Sequence, residues 1–240
     1  MHSNASFGPG STDQPSAEEF EAWRTRVEVP DNEIGWLLPL SVVLAQTPDA
    51  AVAVTHMTAF TTGVVFNLAV RLRVAPDNVD GRGLYALISP HVPPGMSVDP
   101  DQRLLLGVEY ADGRTAINID NQVWPPGQQN QQEPILMPSG GGGGDLSVDQ
   151  GFLLSPVPPD GAFTFVCSWP ALGINETRHV IEHADLTTAS ARATTLWPRR
   201  PINHESPPPP KPRLPSTGWF GRAVRRSQAS SPGEDNPDAL

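Results

Sequence analysis

The ten residues VVFNLAVRLR, Val64–Arg73, decide how this chain is read. Val64, Phe66, Leu68, Val70 and Leu72 share one side of an extended backbone. Val65, Asn67, Ala69, Arg71 and Arg73 share the other. Successive side chains of a strand point to opposite faces, so the stretch has one apolar face and one wet face. That pattern belongs to an antiparallel sheet with one side on a core.

The same device recurs on either side. AVAVTHMTAF, residues 51–60, partly alternates and meets VVFNLAVRLR through the turn Thr61-Thr62-Gly63. RLLLGVEYA faces RTAINI across Asp112-Gly113, a favoured two-residue type I′ pair. GFLLSPV is expected to pair with AFTFVCSW across Pro158-Pro159-Asp160-Gly161, and ETRHVIEH follows the Gly173 turn. YALIS adds a further expected strand. About seven to nine short strands with frequent turn signals predict an all-β chain, an antiparallel β-sandwich.

Two helices frame it. Ser16 and Glu19 have capping-box spacing ahead of Phe20, Trp23 and Val27, which predicts a short helix over 16–27. Asp185 is a cap for LTTASARATTLW, whose Leu186, Ala189, Ala193 and Leu196 trace one helical face until Pro198. The expected organisation is therefore a disordered 1–15, the helix, a β-sandwich domain over 28–198 and a disordered tail over 199–240. The tail has eight prolines between 198 and 215, the composition of polyproline II or a disordered spacer. No internal repeat is present.

Charge is unevenly placed. Residues 1–198 carry 22 acids and 9 bases, a net −13; residues 199–228 carry 7 bases and 1 acid, a net +6; residues 229–240 carry 3 acids. An acidic body disfavours nucleic-acid binding, which needs Lys and Arg against phosphate. The longest apolar run, IGWLLPLSVVLA at Ile34–Ala45, falls short of the about 20 residues that span a bilayer. It contains Pro39 and follows an acidic segment, so it makes a poor signal peptide and the expected location is cytoplasmic.

The run PSGGGGGDLSVDQ, Pro138–Gln150, is the most conspicuous local motif. A phosphate loop needs Lys and a hydroxyl residue after its last glycine, and here Asp145 and Leu146 follow Gly144. The run is read instead as a flexible inter-strand loop. As a binding loop, it would engage a partner through Gly140, Gly141, Gly142, Gly143 and Gly144 with Asp145, Asp149 and Gln150 as polar contributors. In the tail, Trp219 and Phe220 beside Arg222, Arg225 and Arg226 form a candidate anchor for a partner or, weakly, a membrane surface.

Catalytic signatures are thin. Cys167, the single cysteine, lies in the apolar run FTFVCSW and is expected to be buried and inert. His179 and His183 are four apart; on a strand, at about 3.3 Å per residue, they stand roughly 13 Å apart and cannot share one zinc ion. Glu109, Asp112 and Asp120 form no recognisable acid/base pair. No catalytic residue, metal or cofactor is assigned, and no small-molecule substrate.

The T-T-G turn with VVFNLAVRLR, the LMPSGGGGG stretch, SPVPPDGAFTFVCSWPALGINET and the ending TLWP together resemble a family of uncharacterised bacterial proteins of actinobacterial type. The resemblance covers about residues 28–198. It implies a shared β-rich body and attaches no activity and no catalytic residue. The function expected is a non-catalytic cytoplasmic binding or interaction module, with the glycine run or the tail touching a protein partner. The alternatives are a small hydrolase or carbohydrate-active enzyme with a dispersed site, and a body tethered to a membrane or assembly by its tail.

Overall fold

Alternating apolar residues need a dry layer to face, and this chain supplies it by facing one antiparallel sheet with another. The computed structural model describes residues 16–75, 83–88, 100–119 and 132–200. These belong to one unit, Met1–Pro201; the second unit, Ile202–Leu240, lies outside them, as do residues 1–15. The elements are α1 (Ala17–Val27), β1 (Glu33–Ile34), β2 (Trp36–Leu38), β3 (Val42–Gln46), β4 (Ala50–Ala59), β5 (Val64–Leu72), α2 (Gly83–Ile88), β6 (Leu105–Glu109), β7 (Thr115–Ile117), β8 (Ile135–Gly143), β9 (Ser147–Ser155), β10 (Gly161–Trp169), β11 (Ile174–Ala184), α3 (Leu186–Ala191) and β12 (Thr194–Thr195).

The strands form three antiparallel sheets among the described residues. One runs β2-β4-β5-β9-β8 with β3 also on β4, one runs β11-β10-β6-β7, and β1 pairs with β12. Twelve strands among the described residues stand against the seven to nine expected, because β1, β2 and β12 are only two or three residues long and carry no periodicity to read.

Val64, Phe66, Leu68, Val70 and Leu72 are all buried, as their spacing predicts. In β4 the alternation slips where Thr55 bulges between Val54 and His56, so Ala50, Val52 and Val54 face inward before it and Met57 and Ala59 after it. From the second sheet, Leu106, Val108, Phe163, Phe165, Cys167 and Trp169 complete the same core. Phe165 meets Phe66 edge-on across the layers, with ring centroids 5.0 Å apart. Among the described residues no helix is long and apolar enough to cross a membrane.

Several expectations are corrected. Residues 83–88 form α2 instead of a strand: Leu84, Leu87 and Ile88 are buried at helical spacing. The β9 and β10 segments do not make a hairpin; they lie in different sheets. Pro156, Pro158 and Pro159 cannot donate to a ladder, so this stretch carries the chain from one sheet to the other. The Asp112-Gly113 hairpin has three loop residues: the Gly113 N–H bonds the Tyr110 carbonyl at 2.9 Å, and Gly113 takes φ 86°. The late helix stops at Ala191. Thr194 and Thr195, stiff at Cβ, pair instead with Ile34 and Glu33, so Leu196 leaves the helical face assigned to it.

The glycine run is not a loop. Gly140–Gly143 extend β8 along β9 after a bulge between Pro138 and Gly140, and only residues 144–146 turn. A Cβ on Gly143 would stand 2.1 Å from the Ser147 carbonyl oxygen, and one on Gly141 would stand 2.6 Å from that of Asp149. Gly142 meets nothing within 4 Å. Gly143→Ala is expected to lower the unfolding free energy by about 1–3 kcal/mol, whereas Gly142→Ala leaves it unchanged or raises it by up to about 1 kcal/mol. Urea denaturation of the two variants checks the contrast.

Candidate functional site

The expected site residues separate when folded. Asp149 and Gln150 are consecutive on β9 and so face opposite sides. Asp149 points outward, where both its oxygens accept from the Arg71 guanidinium at 3.0 Å and Asn67 donates to it at 3.3 Å. Gln150 points into the core and is fully buried. Its side-chain nitrogen donates to the Gly140 and Gly151 carbonyls, both at 2.8 Å. Asp145 sits at the exposed turn. These three side chains therefore do not converge, and the glycines form the outer strand of the six-stranded sheet. Trp219, Phe220, Arg222, Arg225 and Arg226 lie outside the described residues.

Cys167 faces the core of β10 at 1% exposure, and burial pushes its thiol up to about 12. A thiolate is the reactive form, so this side chain offers no nucleophile near neutral pH. Positions 179 and 183 both fall on β11. Among the described residues no three His, Cys, Asp or Glu side chains are grouped to hold a metal ion.

Two surfaces stand out that the sequence reading did not single out. On the outer face of the four-stranded sheet, Gly107 leaves a groove of about 320 Å³ bordered by Leu105, Ile117, Ile119 and Val166. Its rim carries Glu109, hydrogen-bonded by Arg178, with Ser168, Thr115 and Glu176. Gly107 within LLLGVEY was the available signal: it is the outward position where a strand face loses its side chain.

The second surface is the β1–β12 ribbon with its continuation into β2. The Leu196 N–H bonds the Asn32 carbonyl, and the Asn32 amide donates to the Trp197 carbonyl, both at 2.8 Å. These contacts set residues 32–37 beside residues 192–197. Ile34, Trp36, Leu37, Leu196 and Trp197 are 43–61% exposed there. The Arg192 guanidinium lies over the Trp36 ring, 5.3 Å from its centroid. Trp36 and Leu37 pair with Ala59 and Thr58 and so face opposite sides of the strand. Single exposed apolar residues need no explanation, but five on two paired segments, two of them tryptophans, do. The apolar run at Ile34–Ala45 was visible in the sequence. That half of it faces water was not, because that depends on which residues β1 and β2 pair with.

No family profile matches the chain, and neither the curated proteins nor the solved structures contain a match to it.

The buried thiol makes a pH prediction. An unfolded chain ionises Cys167 above its ordinary 9.0, while the folded chain keeps the proton up to about 12. The unfolded state therefore binds fewer protons in that window, and stability falls as pH rises through it, by about 1.4 kcal/mol per pH unit for one such group. Denaturant titrations from pH 8 to 11 are expected to show the fall, and Cys167→Ala to make it shallower. Tyr110, whose phenol burial also pushes up, keeps part of the slope in that variant.

Proposed function

We propose that the protein is a non-catalytic binding module. In this reading the two facing sheets are a β-sandwich scaffold, and the ribbon of β1, β2 and β12 docks a protein partner. The observation that carries the reading is the joint exposure of Ile34, Trp36, Leu37, Leu196 and Trp197 along two paired segments. Tryptophan and arginine are the side chains that most often dominate binding energy when a partner desolvates them, and Trp36 under Arg192 supplies both. Arg192 lies over Trp36 and the exposed Arg200 follows Trp197 by three positions, so an apolar centre with an acidic rim is the complementary surface. A lipid surface fits less well: anionic headgroups would face a body of net charge −13 over residues 1–198.

The test is site-specific photo-crosslinking in the producing cell. A benzophenone side chain at position 37 is expected to give one discrete protein adduct, and one at the exposed position 180 on β11 is not. Trp36→Ala with Trp197→Ala is expected to abolish the adduct and to weaken partner binding by at least about 30-fold, the scale of a hot-spot loss near 2 kcal/mol. Both residues are exposed, so the circular dichroism spectrum of the double variant is expected to match the wild type. An adduct that survives the double variant overturns the reading.

A further inference from the structure

We infer that strand β8 is a second, independent binding site, one that takes an extended peptide strand of a protein partner and reads one hydrogen-bond donor on it. Among the described residues, β8 closes the six-stranded sheet and has β9 on one side only. Residues 139–144 are exposed and carry no charged side chain or inward-pointing block, the usual protections of an open edge. Packing accounts for Gly141 and Gly143, whose missing side chains let β9 approach, and a φ of 117° accounts for Gly140. It does not account for Gly142 and Gly144, where a Cβ would meet nothing. A bare strand at such positions suits the close approach of another backbone.

Gln150 independently points to an occupant. Its nitrogen faces two carbonyl oxygens, which fixes the amide orientation and makes the other atom, Oε1, an acceptor. Oε1 is buried and has no hydrogen-bond partner, an uncommon state for a buried polar atom. It lies 2.9 Å from where a Cβ of Gly141 would be, so it fills the place of the missing side chain and looks towards the open edge. In a strand added to β8, the residue opposite Gly141 would place its Cβ about 5 Å from that point, on the same inner face. A Ser, Thr, Asn or Gln there spans the gap and donates to Oε1. On the outer face, large β-forming side chains opposite Gly140 and Gly142 would cover the bare backbone, as aromatic residues do beside edge glycines.

A second copy of the chain is a poor occupant. The inward-facing residues that β8 would offer to itself are Leu136, Pro138, Gly141 and Gly143, and none has a side-chain donor.

The probe is a library of random nine-residue peptides displayed on phage and selected on the full chain. Selected sequences are expected to alternate in β-formers and to fix Ser, Thr, Asn or Gln at one inner position. A synthetic peptide of that sequence is expected to slow amide deuterium exchange at 139–144 at least tenfold. Replacing its donor residue by Val is expected to weaken binding about tenfold to the wild-type chain and less than twofold to Gln150→Leu. The wild-type arm stands by itself if Gln150→Leu does not fold. Protection confined to 34–38 and 194–197 would overturn this site and leave the ribbon reading standing. Selected peptides that leave exchange at 139–144 unchanged overturn it as well, and protection there without a donor preference overturns the role of Gln150.

Discussion

Four phenylalanines hold the two layers together, and most of the architecture follows from where they must sit. Phe66 on β5 and Phe152 on β9 stack with centroids 5.7 Å apart inside one sheet. Phe163 and Phe165 on β10 meet edge-on at 5.1 Å inside the other. The Phe66–Phe165 contact joins the sheets, and all four side chains are at most 2% exposed. Each such ring pair contributes roughly 0.5–1.5 kcal/mol beyond burial, but the geometric consequence is larger. β9 and β10 are neighbours in sequence, yet their aromatic faces look at each other across the core. The segment between them therefore has to change sheets, and its prolines and the Tyr110 hydroxyl, bonded to the Pro156 carbonyl at 2.7 Å, fix that crossing.

What the sequence disclosed and what it hid follow from this. A strand that contacts the core with one face only writes that fact into alternate positions, so β5, β6 and β10 are legible residue by residue. Pairing is a different matter. Nothing in GFLLSPVPPDGAFTFVCSW distinguishes a hairpin from a crossing, because both need an apolar run, a turn and another apolar run. GLYALI is short enough to satisfy either period, and only burial of Leu84, Leu87 and Ile88 decides for helix. The ending of the late helix is hidden for a related reason. Leu196 fits a helical face, but Thr194 and Thr195 gain a strand partner in Glu33 and Ile34 that no local pattern announces.

The candidate surfaces were legible in unequal measure. The five glycines play a different structural part from the one expected of them. A flexible loop needs glycine for conformational freedom, whereas here two of the five are required because the neighbouring backbone comes too close for any side chain. The tryptophan ribbon was hidden because apolar residues in a run suggest burial. Gly35 keeps that run against β4: a Cβ there would stand 2.5 Å from the Thr58 methyl and 2.8 Å from the Phe60 ring. Trp36 and Leu37, paired with Ala59 and Thr58, then face opposite sides of that strand, and each keeps part of its surface in water.

Two buried amides show why the open edge of β8 differs from an ordinary strand end. Asn118 follows β7 and is 1% exposed; its Nδ2 donates to the Leu104 carbonyl and its Oδ1 accepts from the Leu106 N–H, each at 2.9 Å. Both ends of that amide are used, and it ties β6 to the residue after β7 as a backbone group would. Gln150 is buried as deeply and uses only its donor end. Leaving a buried acceptor unpaired costs roughly 1–3 kcal/mol, and a leucine of similar size would avoid that cost. What the glutamine contributes in return is the bond to the Gly140 carbonyl, at the bulge where β8 shifts register on β9. The same side chain thus steadies the bend that carries the glycine strand past β9 and leaves its oxygen beside Gly141 on the edge strand.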